Sequence, residues 1–223
     1  MKINPSYDTI SSSMVRSVLL DPRCSVAPLP PALKHQVILS YHHSITAAHG
    51  PEISCIETGT LNGDTTEFLS SIFKKVITIE AFEPLYQKAE KRFIDKLNVQ
   101  TLFGDSGELI EEAISQCPND QPILFFLDAH FSGEGTGKGK AGSTCPTFNE
   151  LFAIQKLRNL NRCVILIDDM RNFGNPQMTH YPNQEYVREW GRMNRLQARV
   201  SSDIIQLADP VTATKLRQLY KLD

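Results

Sequence analysis

The sequence predicts an α/β protein: one doubly wound, mostly parallel sheet with helices on both faces. Three observations point there. Short apolar, β-branched runs alternate along the chain with segments whose apolar residues recur at helical spacing. The run from Pro122 to Leu127 is apolar without interruption, as a strand buried on both faces of a parallel sheet requires. Each run ends in an acid: Glu57, Glu80, Asp105, Asp128 and the pair Asp168-Asp169. An Asp after a strand is ordinarily a turn or cap residue, but capping does not explain acids at every strand end.

Taken in order, residues 1–30 read as irregular, broken by Ser11-Ser12-Ser13, Pro28 and Pro30, and suited to a lid or arm. With the next helix they form an N-terminal unit, 1–50, ahead of the main domain at 51–223, in a chain with no internal repeat. Pro31 opens that helix, which places Leu33, Val37, Ile38, Tyr41, Ile45 and Ala48 on one face, and Gly50-Pro51 stops it. His35, His42 and His49 lie along it with His43 beside them, two turns apart and so unable to converge on a metal. They read as a solvated or partly packed stripe. A strand over Ile53–Glu57 passes through Gly59 and Gly63 into a helix capped by Asp64 or Thr65. Val76–Glu80 is the second strand, and Pro84 starts a helix with Leu85, Ala89, Phe93 and Leu97 on one face. Val99–Phe103 is the third strand, followed by a helix carrying Leu109, Ile110, Ala113 and Ile114. Beyond the fourth strand a glycine-rich loop runs from Gly133 to Gly142, and Pro146 starts the helix with Phe148, Leu151, Phe152 and Leu157. Cys163–Ile167 is the fifth strand. Glu185 to Leu196 reads as helix, and Ile204–Leu207 with Val211–Leu216 as a closing antiparallel strand pair.

Composition excludes several classes. The chain is 41% hydrophobic and 22% charged, which argues against disorder. A net charge of -2 gives no electrostatic case for nucleic acid or anionic membrane, and Arg188, Arg192 and Arg195 read as a solvated helix face. The 5 cysteines form no C-x-x-C, so neither a disulfide framework nor a zinc site is expected, and Cys55 and Cys163 read as core. Asp8, Arg16 and Asp21 interrupt any signal-like apolar stretch. The expectation is a cytoplasmic protein that engages a small molecule, with no nucleic-acid or membrane partner; a homo-oligomer stays open.

The pattern Glu57-x-Gly59-x-x-x-Gly63-x-Thr65 carries the chemistry. A dinucleotide turn wants G-x-G-x-x-G, whereas here an acid stands first and the glycines are four steps apart. An acidic strand end suits a ligand with a cationic end. The pattern resembles motif I of the class I S-adenosyl-L-methionine (SAM)-dependent methyltransferases. The resemblance implies a Rossmann-like methyltransferase fold, with Glu57, Thr58, Gly59, Gly63 and Thr65 binding the cofactor and Glu57 facing its amino-acid end. Glu80 suits the ribose hydroxyls, and Asp105 with Ser106 suits the adenine. Asp128 completes the cofactor set.

Asp128-Ala129-His130 follows the fourth strand. On its own His130 is as readily a structural turn histidine; in this place it is a candidate general base, with Asp128 orienting it or binding a cation. Asp128, Asp168 and Asp169 would make an all-oxygen site suited to Mg²⁺. The arrangement resembles the metal-dependent sugar O-methyltransferases of macrolide and aminocoumarin antibiotic biosynthesis, which implies Asp128, Asp168 and Asp169 as Mg²⁺ ligands and His130 as base. The glycine loop has no counterpart in that group, and the chain is short at its N-terminus for it. That loop is not a phosphate cradle, since Gly139 follows Gly137-Lys138 where Ser or Thr is required. It reads as a flap, with Lys138 and Lys140 able to meet an anionic acceptor. The expected activity is SAM-dependent O-methylation of a sugar or natural-product hydroxyl. An oxidoreductase with a nucleotide cofactor, disfavoured by the glycine spacing, and an inactive binding protein of the same fold are the alternatives.

Overall fold

The computed structural model of the chain describes residues 12–21, 30–131, 133–137 and 145–222. Five parallel strands form the centre: β1 (Ser54–Thr58), β2 (Lys75–Glu80), β3 (Val99–Phe103), β4 (Ile123–Leu127) and β5 (Cys163–Ile167). A hairpin of β6 (Gln197–Ser201) and β7 (Ile204–Ala208) completes a 7-stranded sheet in the order β3-β2-β1-β4-β5-β7-β6, with β7 antiparallel to both neighbours. Ser202 and Asp203 join the hairpin at φ 52 and 58, a primed turn whose twist matches the flanking strands.

Strand alternation divides the core. Cys55, Val76, Leu124, Phe126, Val164 and Leu166 face one layer of helices. That layer holds α1 (Ser12–Leu20), α2 (Pro31–His49), α3 (Asp64–Ile72) and α8 (Pro210–Tyr220), through residues such as Leu19, Ile38, Tyr41, Leu69 and Leu216. Ile56, Ile77, Phe125, Leu127, Ile165 and Ile167 face the other. There α5 (Ser106–Ser115), α6 (Thr147–Leu157) and α7 (Gln184–Met193) contribute Ile110, Leu151, Ile154, Val187 and Trp190. The helix α4 (Glu83–Phe93) packs beside β2 and β3 through Leu85, Ala89 and Phe93. The doubly wound sheet with an antiparallel C-terminal pair is as the sequence predicts.

Four local expectations are corrected. Residues 12–20 are helical, and Val15, Val18 and Leu19 enter the core, so this part of the N-terminal segment is a packed element and not an arm; residues 1–11 and 22–29 lie outside the described residues. The segment expected as the last strand, Val211–Leu216, is inside α8. Asp209 accepts from the N–H groups of Val211 and Thr212, and Pro210 sits in the first turn, a start signal that overrides the β-branched residues behind it. The closing strand is β6 instead. Gly63, in the left-handed region at φ 82, caps α3 with no side-chain bond, while Asp64 pairs with Arg92. Leu97 lies beyond the end of α4, fully exposed. Among the described residues, no helix is long and apolar enough to cross a membrane.

Candidate active site

The chain leaves the edge at β3 and crosses back beyond β1 to build β4, so helices on opposite faces diverge at the carboxyl ends of β1 and β4. A crevice opens there, as in other open α/β sheets. The cleft is about 290 Å³ and is lined by Gly59, Leu61, Glu80, Asp105, Ser106, Asp128, His130, Lys34, Asp169 and Arg171, among others. Gly59 is required by geometry. Its φ is 84, and a Cβ there would stand 2.5 Å from the Asp128 carbonyl oxygen. Glu80 is braced by backbone: Oε2 accepts the N–H of Leu61 and Oε1 that of Phe82, each at 2.9 Å. Asp105 caps α5 by accepting from Gly107 N–H at 2.8 Å, and Ser106 follows it. Thr136 and Gly137 close the cleft from the glycine-rich segment. The Gly137 backbone lies so near the exit of β2 that a Cβ would meet Ala81 Cβ and the Phe82 nitrogen at 2.9 Å. Lys138 and Lys140 fall outside the described residues.

Most of the glycine motif lies behind the cleft. Glu57, expected at the amino-acid end of the cofactor, is buried and accepts from Thr66 Oγ1 at 2.5 Å. Burial pushes its carboxyl up to about 7, against the hydroxyls of Thr66 and Thr78. Thr58 is buried, and both its carbonyl and its hydroxyl receive the Asp128 N–H. At Gly63 a Cβ would press on the Phe93 ring at 2.9 Å, and Thr65 sits in the first turn of α3. Of the motif residues, only Gly59 lines the cleft. A further buried acid, Glu150 of α6, is driven to about 7 by burial and opposed by the hydroxyls of Ser106 and Thr58.

A charged cluster fills the end of the cleft nearest β4 and β5. Lys34 Nζ, from the first turn of α2, pairs with the fully buried Asp168 and stands 3.4 Å from Asp128 Oδ2. Burial works against this ammonium, but Asp128, Asp168 and Asp169 together outweigh it and hold its pKa above the ordinary lysine value. Burial, then Asp168, pushes the Asp128 carboxyl well above the usual carboxylate range, against the pull of Lys34. Asp169 adopts the left-handed conformation at φ 59 and accepts from Arg171 at 2.8 Å; Arg171 also pairs with Asp203 of the hairpin turn. His130 is buried, with Nε2 3.3 Å from Thr147 Oγ1 and Nδ1 4.0 Å from Asp169 Oδ2. Its ring lies 5.0 Å from that of Tyr181 and edge-on to Phe173. Burial lowers its pKa, with Asp169 and Asp168 opposing, so it is a neutral imidazole at neutral pH.

The structure thus brings Glu80, Asp105, Ser106, Asp128, His130 and Asp169 to one cleft and leaves Asp168 beneath it. The expected Mg²⁺ ligands do not fit that ion. Asp128 and Asp168 already hold the Lys34 ammonium, and Asp169 holds Arg171. Among the described residues the acid and histidine groups that converge to within 4.8 Å are Asp128-His130-Asp169 and Asp168-Asp169-Asp203, not the expected three aspartates. Lys34 and Arg171 escaped the sequence reading. A signal for Lys34 was present, since it falls in line with Ile38, Tyr41 and Ile45 on the buried face of α2, where a lone lysine needs a partner.

No family model matches the chain. A 60-residue stretch is 42% identical to protein-L-isoaspartate O-methyltransferase of Caulobacter vibrioides and covers 26% of this chain. The match spans 27% of that relative's length. Among solved structures, the N-methyltransferase NodS from Bradyrhizobium japonicum superposes with a TM-score of 0.52 at 14% identity, over 79% of this chain and 94% of that one. The O-methyltransferase from Bacillus cereus, solved with S-adenosylhomocysteine, gives 0.50 at 18% identity over 89% of each chain. A putative rRNA methylase from Clostridium thermocellum gives 0.50 at 14% identity, over 76% of this chain and 94% of that one. Strand order, cleft position and these likenesses agree: the chain has the class I SAM-dependent methyltransferase fold.

Proposed function

We propose that the protein transfers a methyl group from S-adenosyl-L-methionine to a hydroxyl oxygen of a small-molecule acceptor, of the sugar or natural-product kind. The observation that carries this is the row of Glu80, Asp105 and Asp128 along a single cleft with His130 at its end. Glu80, oriented by two backbone N–H groups, presents its remaining lone pairs to a ribose diol. In this reading Asp105 and Ser106 meet the adenine, and Asp128 accepts from the amino group of the cofactor's amino-acid end. The bound cofactor would supply an electrophilic methyl group. As the acceptor oxygen bonds to that carbon, the carbon–sulfur bond breaks and its electron pair stays on sulfur. The hydroxyl proton passes to the neutral imidazole of His130, and Asp169 at 4.0 Å steadies the imidazolium. Alignment in a closed cleft supplies much of the rate, and the segment at Thr136-Gly137 helps to close it. The names of the similar proteins divide between oxygen and nitrogen acceptors, so the oxygen acceptor rests on His130, a base set beside the cleft for a hydroxyl proton.

Calorimetric titration with S-adenosylhomocysteine tests the cofactor. A Kd of order 1–100 µM is expected (about −8 to −5 kcal/mol). Absence of binding, with the protein folded, would refute the proposal.

A further inference from the structure

The ammonium of Lys34 lies where the carboxyl ends of β4 and β5 meet, between Asp128 and Asp168. It reaches there from α2, a helix outside the central β-α-β units, and its side chain is only 14% exposed. Asp168 is fully buried, so without Lys34 it would be a bare charge in the core. The neighbouring cation, Arg171, is committed to Asp169 and Asp203. Lys34 also lines the cleft alongside Asp128 and His130. An ammonium carries three donors; Asp168 and Asp128 engage two, and the count leaves a third for a ligand in the cleft that Lys34 lines.

We infer that Lys34 is a built-in cation standing in the position a divalent metal would take, where it holds and polarises the acceptor oxygen and makes the site independent of added metal. A divalent ion placed among Asp128, Asp168 and Asp169 would have to expel the ammonium or sit against it. Lys34 changes no bond. As a donor it stabilises the negative charge that develops on the oxygen while the proton moves to His130. The acceptor role rests on the methyl-transfer reading above; the exclusion of metal rests on geometry alone.

Mn²⁺ is the probe, followed by electron paramagnetic resonance and by its effect on melting, using the full-length wild-type protein, Lys34→Ala and Lys34→Arg. Wild type and Lys34→Arg should bind no Mn²⁺ at about 1 mM, whereas Lys34→Ala, its carboxylates released, should bind about tenfold tighter or better and melt higher with the ion. Methyl transfer by wild type should survive EDTA. Lys34→Ala should lose about 10²-fold or more in turnover and keep its S-adenosylhomocysteine affinity. Lys34→Gln, which keeps a donor toward Asp168, replaces the alanine variant if that does not fold. Binding of Mn²⁺ by wild type that Asp168→Asn abolishes would overturn the inference. So would a Lys34→Ala variant that binds no Mn²⁺ or turns over within threefold of wild type. If S-adenosylhomocysteine fails to bind wild type, the acceptor role falls with the methyltransferase reading, while the Mn²⁺ arm still decides the exclusion of metal.

Discussion

Replacing Glu80 with Gln tests the cofactor reading at one carboxylate. Both oxygens are already in use, Oε2 with the Leu61 N–H and Oε1 with the Phe82 N–H, each at 2.9 Å, in a residue that is 6% exposed. Glutamine offers one carbonyl oxygen, so its NH₂ must face one of the two backbone donors. An orphaned buried donor costs about 1–3 kcal/mol, and that is the expected loss of folding stability. Ligand binding loses something separate. Bonds to a charged acceptor contribute about 1.5–3 kcal/mol against about 0.5–1.5 for neutral ones, and the difference of about 1–2 kcal/mol predicts a five- to thirtyfold weaker Kd for S-adenosylhomocysteine, about tenfold per 1.4 kcal/mol. Calorimetry at matched folded fraction, beside a melting curve, separates the two effects. Adenine, which lacks the diol, should bind wild type and variant alike. A Glu80→Gln protein that melts lower yet binds S-adenosylhomocysteine within threefold of wild type would reduce Glu80 to a brace for the loop after β1 and refute its ribose role.

Three further outcomes follow from the titrating groups. His130→Ala should lower turnover by about 10²–10⁴-fold and leave S-adenosylhomocysteine affinity unchanged. Because burial lowers the His130 pKa, the acid limb of kcat/KM should fall below the ordinary imidazole value of 6.5, and a limb above it would exclude His130 as the base. His35, stacked on Phe68, and His42, edge-on to Phe73, are both held by burial at about 4, so the unfolded chain takes up their protons first and stability falls as pH drops from 6.5 toward 4. His42→Phe should gain about 2 kcal/mol over wild type at pH 4.5 compared with pH 7.5, measured by urea unfolding; an equal difference at both pH values would show that His42 does not titrate with folding.

The sheet was legible because burial on both faces leaves strands such as Ile123–Leu127 no polar residue to blur them, and because Gly59 and the acids punctuate their ends. Where the reading failed, a local signal competed with a tertiary one. The serines before Met14, with Arg16 and Asp21, disguised α1, whose helical face shows only once Val15, Val18 and Leu19 are seen against α2. Val211, Thr212 and Thr214 favour a strand by propensity, yet Asp209-Pro210 ahead of them begins a helix. The acids could be counted but not aimed. A strand sends successive side chains to opposite faces, and a shift of one residue separates an acid that meets a ligand from one that enters the core. Glu57 entered the core. The pattern of α2 marks Lys34 as a buried lysine in need of a partner, but not where that partner lies: the lysine is far from the strand ends in sequence, and only the packing of α2 over the sheet carries it there.

The acids at the strand ends therefore share a position and not a task. Glu57, its carboxyl raised to about 7 by burial, ties β1 to α3 through Thr66 in the core. Glu80 and Asp105 each accept backbone N–H groups, which fix their direction while leaving lone pairs toward the cleft. Asp168, Asp169 and Asp203 are compensated by Lys34 and Arg171, which join α2, β5 and the hairpin turn into one charged floor. Asp128 is the exception. At 3.4 Å from Lys34 its pairing is the looser of that lysine's two, it lines the cleft, and its side chain is 26% exposed where that of Asp168 is sealed. Within that charged floor, a sulfonium or amino group entering the cleft would meet at Asp128 the acid held most loosely by a cation.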